Sequence, residues 1–431
     1  MKRALLIIGL TAFLCLTAQA QDSDTIAADK HHEFSISGEI MTRGEWRNGA
    51  LATTDEDDDE AKFILERSRL YLNYRQRHLE VQITPQHSGV WGTAGGGAFA
   101  MREAWAKLNY KGAFAKFGRQ TLAYDDERVI GTNDWSMTSA YHDALKLGYE
   151  GYGHKVHAVL AYNQNNINMN GGSIYKDGGQ IYKTMQMLWY HYDFSPQLGA
   201  SALFLNTGIQ AESTAEINNQ QLMGLYAKYK PHSLTLESSF YIQRGTNELG
   251  LPIHAWMASA EGNWKIDHRW NANLGYYHLS GDEKYYLIVP NAFGLVLQTD
   301  AHAFNLLFAS HHQFYGAMDF FYIKAFYGGY SPGLQDLHLG ATYSPVSKVT
   351  LGAKYHWLGT SIKIEDLSYT LGHEIELSAS WNIMKDVKLS AGYSQMTGTE
   401  TLKALRRNNS NRIQWGWLML VVSPKFFSTK W

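Results

Sequence analysis

Residues 371–382 read Leu-Gly-His-Glu-Ile-Glu-Leu-Ser-Ala-Ser-Trp-Asn. Ile375, Leu377, Ala379 and Trp381 share one phase of a two-residue period, and Glu374, Glu376, Ser378, Ser380 and Asn382 share the other. That is a β-strand with one apolar and one polar face. The stretch before it, 348–358, splits in the same way: Val349, Leu351, Ala353, Tyr355 and Trp357 against Thr350, Lys354 and His356. A Lys or Arg facing lipid costs about 2–4 kcal/mol at the bilayer midplane, so in a membrane the charged phase must face a lumen. A soluble sandwich gives the same alternation with the apolar face inward, and the connections between strands decide between the two.

Working outward, the same alternation marks eighteen segments, near 33–43, 62–75, 77–86, 101–110, 113–120, 143–150, 153–163, 183–194, 197–206, 220–230, 232–243, 253–265, 268–279, 334–344, 348–358, 371–382, 387–396 and 411–427. Tight turns such as Lys111-Gly112, Gly151-Tyr152, Ser195-Pro196 and Lys230-Pro231-His232 alternate with much longer connections. That parity, with an even strand count, predicts an all-β fold: a transmembrane up-and-down antiparallel β-barrel with short periplasmic turns and long extracellular loops. The last segment alternates Ile413, Trp415, Trp417, Met419 and Val421 with Arg412, Gln414 and Gly416 and runs on to Phe427 and Trp431. Such an aromatic end resembles the signal read by the outer-membrane insertion machinery, with either Phe427 or Trp431 as the recognised residue.

Residues 1–20 read as a secretory signal peptide, with Lys2 and Arg3, an apolar Ala4–Leu16 run and Ala18-Gln19-Ala20 before the cleavage point. The expected organisation is therefore a signal peptide, 1–20, and a barrel, 21–431. Cys15 is the single cysteine of the chain, so a cleaved protein has no disulfide and no thiol chemistry. Removing Lys2 and Arg3 takes 38 Lys+Arg to 36 against 40 Asp+Glu, a net charge of −4, which gives no reason to expect nucleic acid. Aromatic residues at 13% with only 8 Pro suit long strands ending in interfacial girdles. Gly151-Tyr152-Gly153 lacks a third glycine and reads as a turn rather than a nucleotide loop.

Charge concentrates between positions 60 and 145. Arg67 and Arg69 share the lumen phase of their strand, and Glu103 and Lys107 that of theirs, followed by Lys116, Arg119, Glu127 and Arg128. Lys354, Glu374 and Glu376 occupy the lumen phase near the other end of the chain. These eleven residues are the predicted pore lining and solute contacts, a mixed-charge wall with a basic arc that favours anions. Each has a second reading. Arg67, Arg69 and Arg119 either contact solute or brace the wall against Glu103 and Glu127; Glu374 and Glu376 read as partners of Lys354 and Lys388. Plain alternation from Lys116 puts Arg119 on the lipid phase, so a place in the pore requires a bulge near Gly118 or a position above the bilayer. Residues 280–333, with His311-His312-Gln313-Phe314-Tyr315 and Asp319-Phe320-Phe321-Tyr322, are too aromatic for a free loop and are expected to form a lid or constriction in the barrel mouth. The His311–His312 pair finds no ligand spacing, so neither a metal nor a cofactor is expected. The acidic run Asp55–Glu60 reads as a solvated outer loop or as a divalent-cation bridge to surface lipid, and Lys403, Arg406 and Arg407 as a solvated loop or a contact for an anion or lipid phosphate.

At Arg67-x-Arg69, Glu103-Ala104, Gly118-Arg119-Gln120, Glu127-Arg128 and Asp134-Trp135 ahead of Asp143, and more weakly at Gly372-His373-Glu374 and Gly392-Tyr393-Ser394, the chain resembles the alginate-export family of outer-membrane porins. The resemblance implies an eighteen-stranded monomeric barrel in the cell outer membrane whose Arg-lined, acid-balanced lumen passes a uronate polysaccharide such as alginate, or another anionic saccharide or small anion. It also implies contact with outer-membrane lipid and lipopolysaccharide and with periplasmic export components. The rival functions are a general small-solute porin and a rim-sited lipid or peptide hydrolase; for the hydrolase, no Ser/His/Asp set stands out among the 18 His. An energy-coupled receptor would need a plug domain of a hundred or more residues, where about a dozen separate residue 21 from the first strand.

Overall fold

The computed structural model describes residues 32–49, 59–167, 174–175, 178–211, 216–282, 300–321, 331–364, 366–406 and 412–431. The predicted signal peptide, residues 55–58, Arg407 and parts of 280–333 lie outside these residues. The strands are β1 (Glu33–Asn48), β2 (Ala61–Gln76), β3 (Leu79–Val90), β4 (Ala98–Tyr110), β5 (Ala113–Gln120), β6 (His142–Gly151), β7 (His154–Tyr162), β8 (Thr184–Asp193), β9 (Leu198–Gln210) and β10 (Ile217–Tyr229). They continue as β11 (Leu234–Gly245), β12 (Ala255–Lys265), β13 (Trp270–Leu279), β14 (Leu334–Val346), β15 (Val349–Gly359), β16 (Thr370–Met384), β17 (Val387–Gly398), β18 (Arg412–Val422) and β19 (Lys425–Lys430), with one short helix, α1 (Glu400–Arg406). From β1 to β18 each strand pairs antiparallel with its sequence neighbours, and β1 pairs with β2 on one edge and with β18 and β19 on the other. Because β18 and β19 are two pieces of one stave, the barrel is closed with eighteen staves.

Closure follows from the solvent. A strand edge facing hydrocarbon would leave its N–H and C=O groups unpaired, and the ring removes every edge. The tight turns join the strands at one end. Lys111 and Gly112 have φ of 47° and 86°, and Tyr152 and Gly153 have 53° and 79°, the paired left-handed conformation that matches strand twist in a two-residue hairpin. The second of these lies one residue later than the expected Gly151-Tyr152, because Gly151 still belongs to the ladder of β6. The last stave breaks at Ser423-Pro424, where proline has no N–H to give the ladder. The register against β1 is kept across this break and shifts only between Ile36 and Ser37, where Phe426 is the extra residue and its ring leans over Gly38, at which a Cβ would come within 2.6 Å of it.

The two phases face as the alternation predicts. Ile375 is 53% and Leu377 51% exposed on the outside, while Glu374 between their neighbours is fully buried at 0%. Leu351 and Trp381 are exposed, and Arg67 is buried on the lumen side. The expectation of a polar lumen throughout is corrected at the loop ends of the strands. There the lumen-phase positions are apolar and buried, among them Met185, Leu205, Leu222, Met257, Leu358 and Met396, and they join Ile130, Phe314, Met318 and Phe320 of the connecting segments in one cluster. Segments that fold back into the barrel must bury their own apolar side chains, so the wall facing them is apolar.

Leu377→Arg should therefore destabilise the folded barrel by about 2–4 kcal/mol, and Ser378→Arg, one residue on and facing inward, by much less. Urea titrations of folding into lipid vesicles compare the two; equal losses would contradict the assigned phases.

Candidate functional site: two inserted segments and a lysine row in the lumen

The first inserted segment is 121–141, between β5 and β6, and three guanidinium groups of the wall hold it. Arg67 donates Nε and Nη2 to Glu39 Oε1 at 3.0 and 2.8 Å and Nη1 to the carbonyls of Asp134 and Ser136 at 2.7 and 3.0 Å. Arg69 donates to Gln86 Oε1 (2.6 Å), Asp134 Oδ1 (2.7 Å) and Ser139 Oγ (2.5 Å). Arg102 reaches Asp134 Oδ1 at 3.2 Å and Glu103 Oε2 at 3.0 Å. Simple alternation puts Arg102 opposite in phase to Glu103. The ladder, however, pairs Thr84 with Glu103 and Pro85 with Met101, so Arg102 is the extra residue of a bulge facing a proline that cannot donate. Both Arg102 and Glu103 are buried on the lumen side as a result. Burial alone would raise the Asp134 carboxyl, but Arg69, Arg67 and Arg102 together hold it below the usual carboxylate range.

The second segment is 300–321, between β13 and β14. Asp282 N donates to Ser331 O at 2.8 Å, which pins the ends of the insertion together. Its interior threads the lumen: Phe308 N bonds Val129 O and Gly131 N bonds Phe308 O, which joins the two segments backbone to backbone. Ser310 Oγ donates to Glu127 Oε2, which also accepts from Thr132 N at 2.9 Å. His312 stacks on Trp135 with centroids 3.9 Å apart, and Trp135 also meets the edges of Trp415 and Trp417 and lies 4.1 Å beneath Arg43. Arg128 is buried, bonds Asp126 Oδ2 at 2.9 Å and lies over Tyr277 and Phe314 at 3.9 and 4.1 Å.

Several expected pairings are corrected by these contacts. Arg67 and Arg69 find Glu39 and Asp134, not Glu103 and Glu127. Glu103 takes Arg102, Gln82 and Thr121, and Glu127 takes the backbone and Ser310. Glu376 does stand directly opposite Lys354, as expected, but Glu374 pairs with neither lysine and Lys388 with neither glutamate. Lys388 stands opposite Asn382, six residues along β16 from Glu376, and Glu376 Oε1 accepts Ala317 N at 2.7 Å while Glu374 Oε1 accepts Met318 N at 3.3 Å. Arg119 is not a lumen residue. The ladders on both sides of β5 run without a bulge through Gly118, so Arg119 stays in phase with exposed Phe117 and pairs outward with Asp143 through two 2.8 Å bonds beside Tyr141. Sequence spacing carries no record of partners that lie sixty or more positions away.

Beneath the segments, toward the tight turns, the lumen phase carries a row of three lysines. Lys107 on β4 is directly opposite Lys116 on β5, which is directly opposite Lys146 on β6. Each has an aromatic ring under its ammonium: Phe114 at 4.7 Å for Lys107, Trp105 at 3.8 Å for Lys116 and Tyr124 at 5.0 Å for Lys146. Glu80 lies 3.9 Å from Lys107. Like charges facing each other across strands destabilise a sheet, so this row is a feature that stability alone does not explain. Lys354 lines a separate cavity of about 240 Å³ with His312, Ala317 and Glu376.

The sequence profile for alginate export matches residues 96–361, more than half of the chain. The chain belongs to the alginate export family. Solved structures share its fold at low identity. OccAB4 of Acinetobacter baumannii is 11% identical over 93% of this chain and 99% of its own, with a TM-score of 0.63. OpdL of Pseudomonas aeruginosa is 12% identical over 91% and 99%, with a TM-score of 0.62. A BenF-like porin of Pseudomonas fluorescens is 12% identical over 91% and 99%, with a TM-score of 0.61. No curated protein matches significantly by sequence. This member of the alginate export family is a porin-type channel of the cell outer membrane.

The Arg67–Arg69–Arg102–Asp134 cluster should control the placement of 121–141. Asp134→Ala leaves three guanidinium groups without their shared carboxylate and is expected to cost roughly 1–3 kcal/mol, discounted for its half-exposed position. Added protease should then cut within 121–141 much faster than in the wild type while the barrel stays folded. The folded carboxyl is held below its unfolded value of about 3.9. The clamp is therefore complete above that value and is lost only as pH falls through the lower folded one. Pepsin should spare the segment near about pH 4 and cut it at lower pH; cleavage that sets in above about pH 5 would contradict the clamp.

Proposed function

We propose that this barrel is a passive channel for anionic saccharides, uronate polymers such as alginate among them. The observation that carries the reading is the row Lys107, Lys116 and Lys146, held on the lumen phase with an aromatic ring beneath each ammonium. A uronate polymer carries a carboxylate on every ring and presents apolar ring faces between them. Ammonium groups spaced one strand apart, about 4.8 Å, can pass such charges from one to the next, and Trp105, the one of the three rings that is not buried, offers a surface to a sugar face. Glu80 and Glu103 keep any one position from holding the anion too tightly to leave. Arg67 and Arg69, whose guanidinium donors are taken by protein acceptors, act in this reading as braces for 121–141 and keep the basic arc in register. Residues 300–321, threaded between that segment and the wall, narrow the path above the lysine row.

Reversal potentials across a planar bilayer in a salt gradient should show anion preference. Replacing Lys107, Lys116 and Lys146 together by Gln should weaken or reverse it, most clearly near 0.01 M salt, where the Debye length is about 30 Å. A wild-type channel that prefers cations, or a triple variant with unchanged selectivity, would sink the anionic-solute reading. Replacing 283–330 by a short Gly-Ser linker between the paired Asp282 and Ser331 should raise single-channel conductance; an unchanged value would place the insertion outside the conduction path.

A further inference from the structure

The lumen face of β14 and β15 carries a group of side chains that neither conduction nor the inserted segments account for. Asp336 and His338 stand two residues apart on β14 and so share a face, and His356 on β15 is directly opposite His338. All three are buried, with exposures of 0, 1 and 2%. Asp336 Oδ1 lies 2.8 Å from His356 Nδ1, and Asp336 Oδ2 lies 3.6 Å from His338 Nδ1. One donor atom from each residue falls within 4.8 Å of the others, and among the described residues this is the one such trio.

Two observations point to a ligand. Neither ring nitrogen of His338 has a hydrogen-bond partner, nor does Asp336 Oδ2, although unpaired buried polar atoms are rare and costly. The His338 ring is also seated deliberately: it lies over Gly275 of β13, where a Cβ would come within 2.5 Å of it. Charge points the same way. Fully buried Glu374 has an unpartnered Oε2, and Glu376 Oε1 lies 3.2 Å from His356 Nε2, so with neutral imidazoles three carboxylates gather where a divalent ion would balance them.

We propose that Asp336, His338 and His356 bind one divalent transition-metal ion of the zinc, cobalt or nickel kind, the metal being held by the Asp336 carboxylate and the two imidazole Nδ1 atoms. Bonds of about 2.0–2.1 Å in tetrahedral geometry put ligand atoms roughly 3.4 Å apart, and the two observed separations bracket that spacing. Glu376 Oε1 lies 3.2 Å from His356 Nε2, on the far side of the ring from Nδ1, the placement that carboxylates take behind metal-binding imidazoles in many protein sites. Two nitrogens and one oxygen favour these ions over calcium or magnesium. The fourth position is left to water, and Glu376 borders the cavity beside Lys354 and His312 through which an ion would enter.

The test uses the full-length folded barrel in detergent, stripped with chelator and dialysed against zinc and, separately, cobalt, with calcium and magnesium in excess. The wild type should retain one zinc per barrel and give the strong visible absorption of four-coordinate cobalt. His338→Gln should abolish both. Glu376→Gln should weaken binding about 10–100-fold while keeping the cobalt spectrum. Heat-modifiable gel mobility reports whether each variant is folded; should His338→Gln misfold, Asp336→Asn takes its place. Less than one equivalent in the wild type at micromolar zinc, or a folded His338→Gln barrel that binds as well, would overturn the site, the first result by making the trio an ion-pair network neutralised by protons and the second by placing the zinc on other histidines.

Discussion

Everything in this barrel depends on the absence of water in the hydrocarbon layer. Backbone groups there find partners only in a neighbouring strand, which forces the sheet to close on itself through β1, and charged side chains are driven to the one surface that does not face lipid. The lumen thus inherits nearly all the chemistry. A strand of the wall has no choice about which of its residues look inward, because the period of two fixes that once the apolar set is turned to lipid.

What the lumen does with this inheritance differs along its axis. Near the tight turns the inward residues stay charged and the wall carries the lysine row. Near the long connections they are apolar and are covered by 121–141 and 300–321, each anchored at a few polar points: Asp134 on its three arginines, Glu127 on Ser310, and Ala317 and Met318 on the two glutamates of β16. Apolar packing supplies the bulk of the contact and is indifferent to exact position, whereas the polar contacts are directional and set where each segment sits.

The alternation seen in Ile375, Leu377 and Trp381 against Glu374 and Glu376, repeated over eighteen segments joined by short turns and long connections in turn, was enough to read the strand count, the closure and the facing of most of the wall, because these rest on local periodicity and on the cost of charge in lipid. Features that depend on register or on distant partners were not legible. Which residue of β4 bulges opposite Pro85 depends on how the two strands align, and so Arg102 was missed. Asp134 was visible as part of a motif, but its arginines lie on other strands. Asp336 and His338 share a face of β14, but His356 joins them only through the hairpin register. Apolar inward residues such as Met185 and Leu222 look, in sequence, the same as lipid-facing ones.

The seam has a consequence for chain topology. His32 and Trp431 exchange two backbone hydrogen bonds, of 2.8 and 3.0 Å, and their rings stack at 5.5 Å, so the two ends of the ring meet as closely as any pair of strands joined by a tight turn. A few residues linking Trp431 to His32 would complete one more hairpin, and the cut could be moved to a long connection such as 211–216 with the whole ladder preserved. In the finished ring no stave ranks first. The numbering of the strands records only the order in which the ribosome made them, and a circularly permuted gene encodes the same wall.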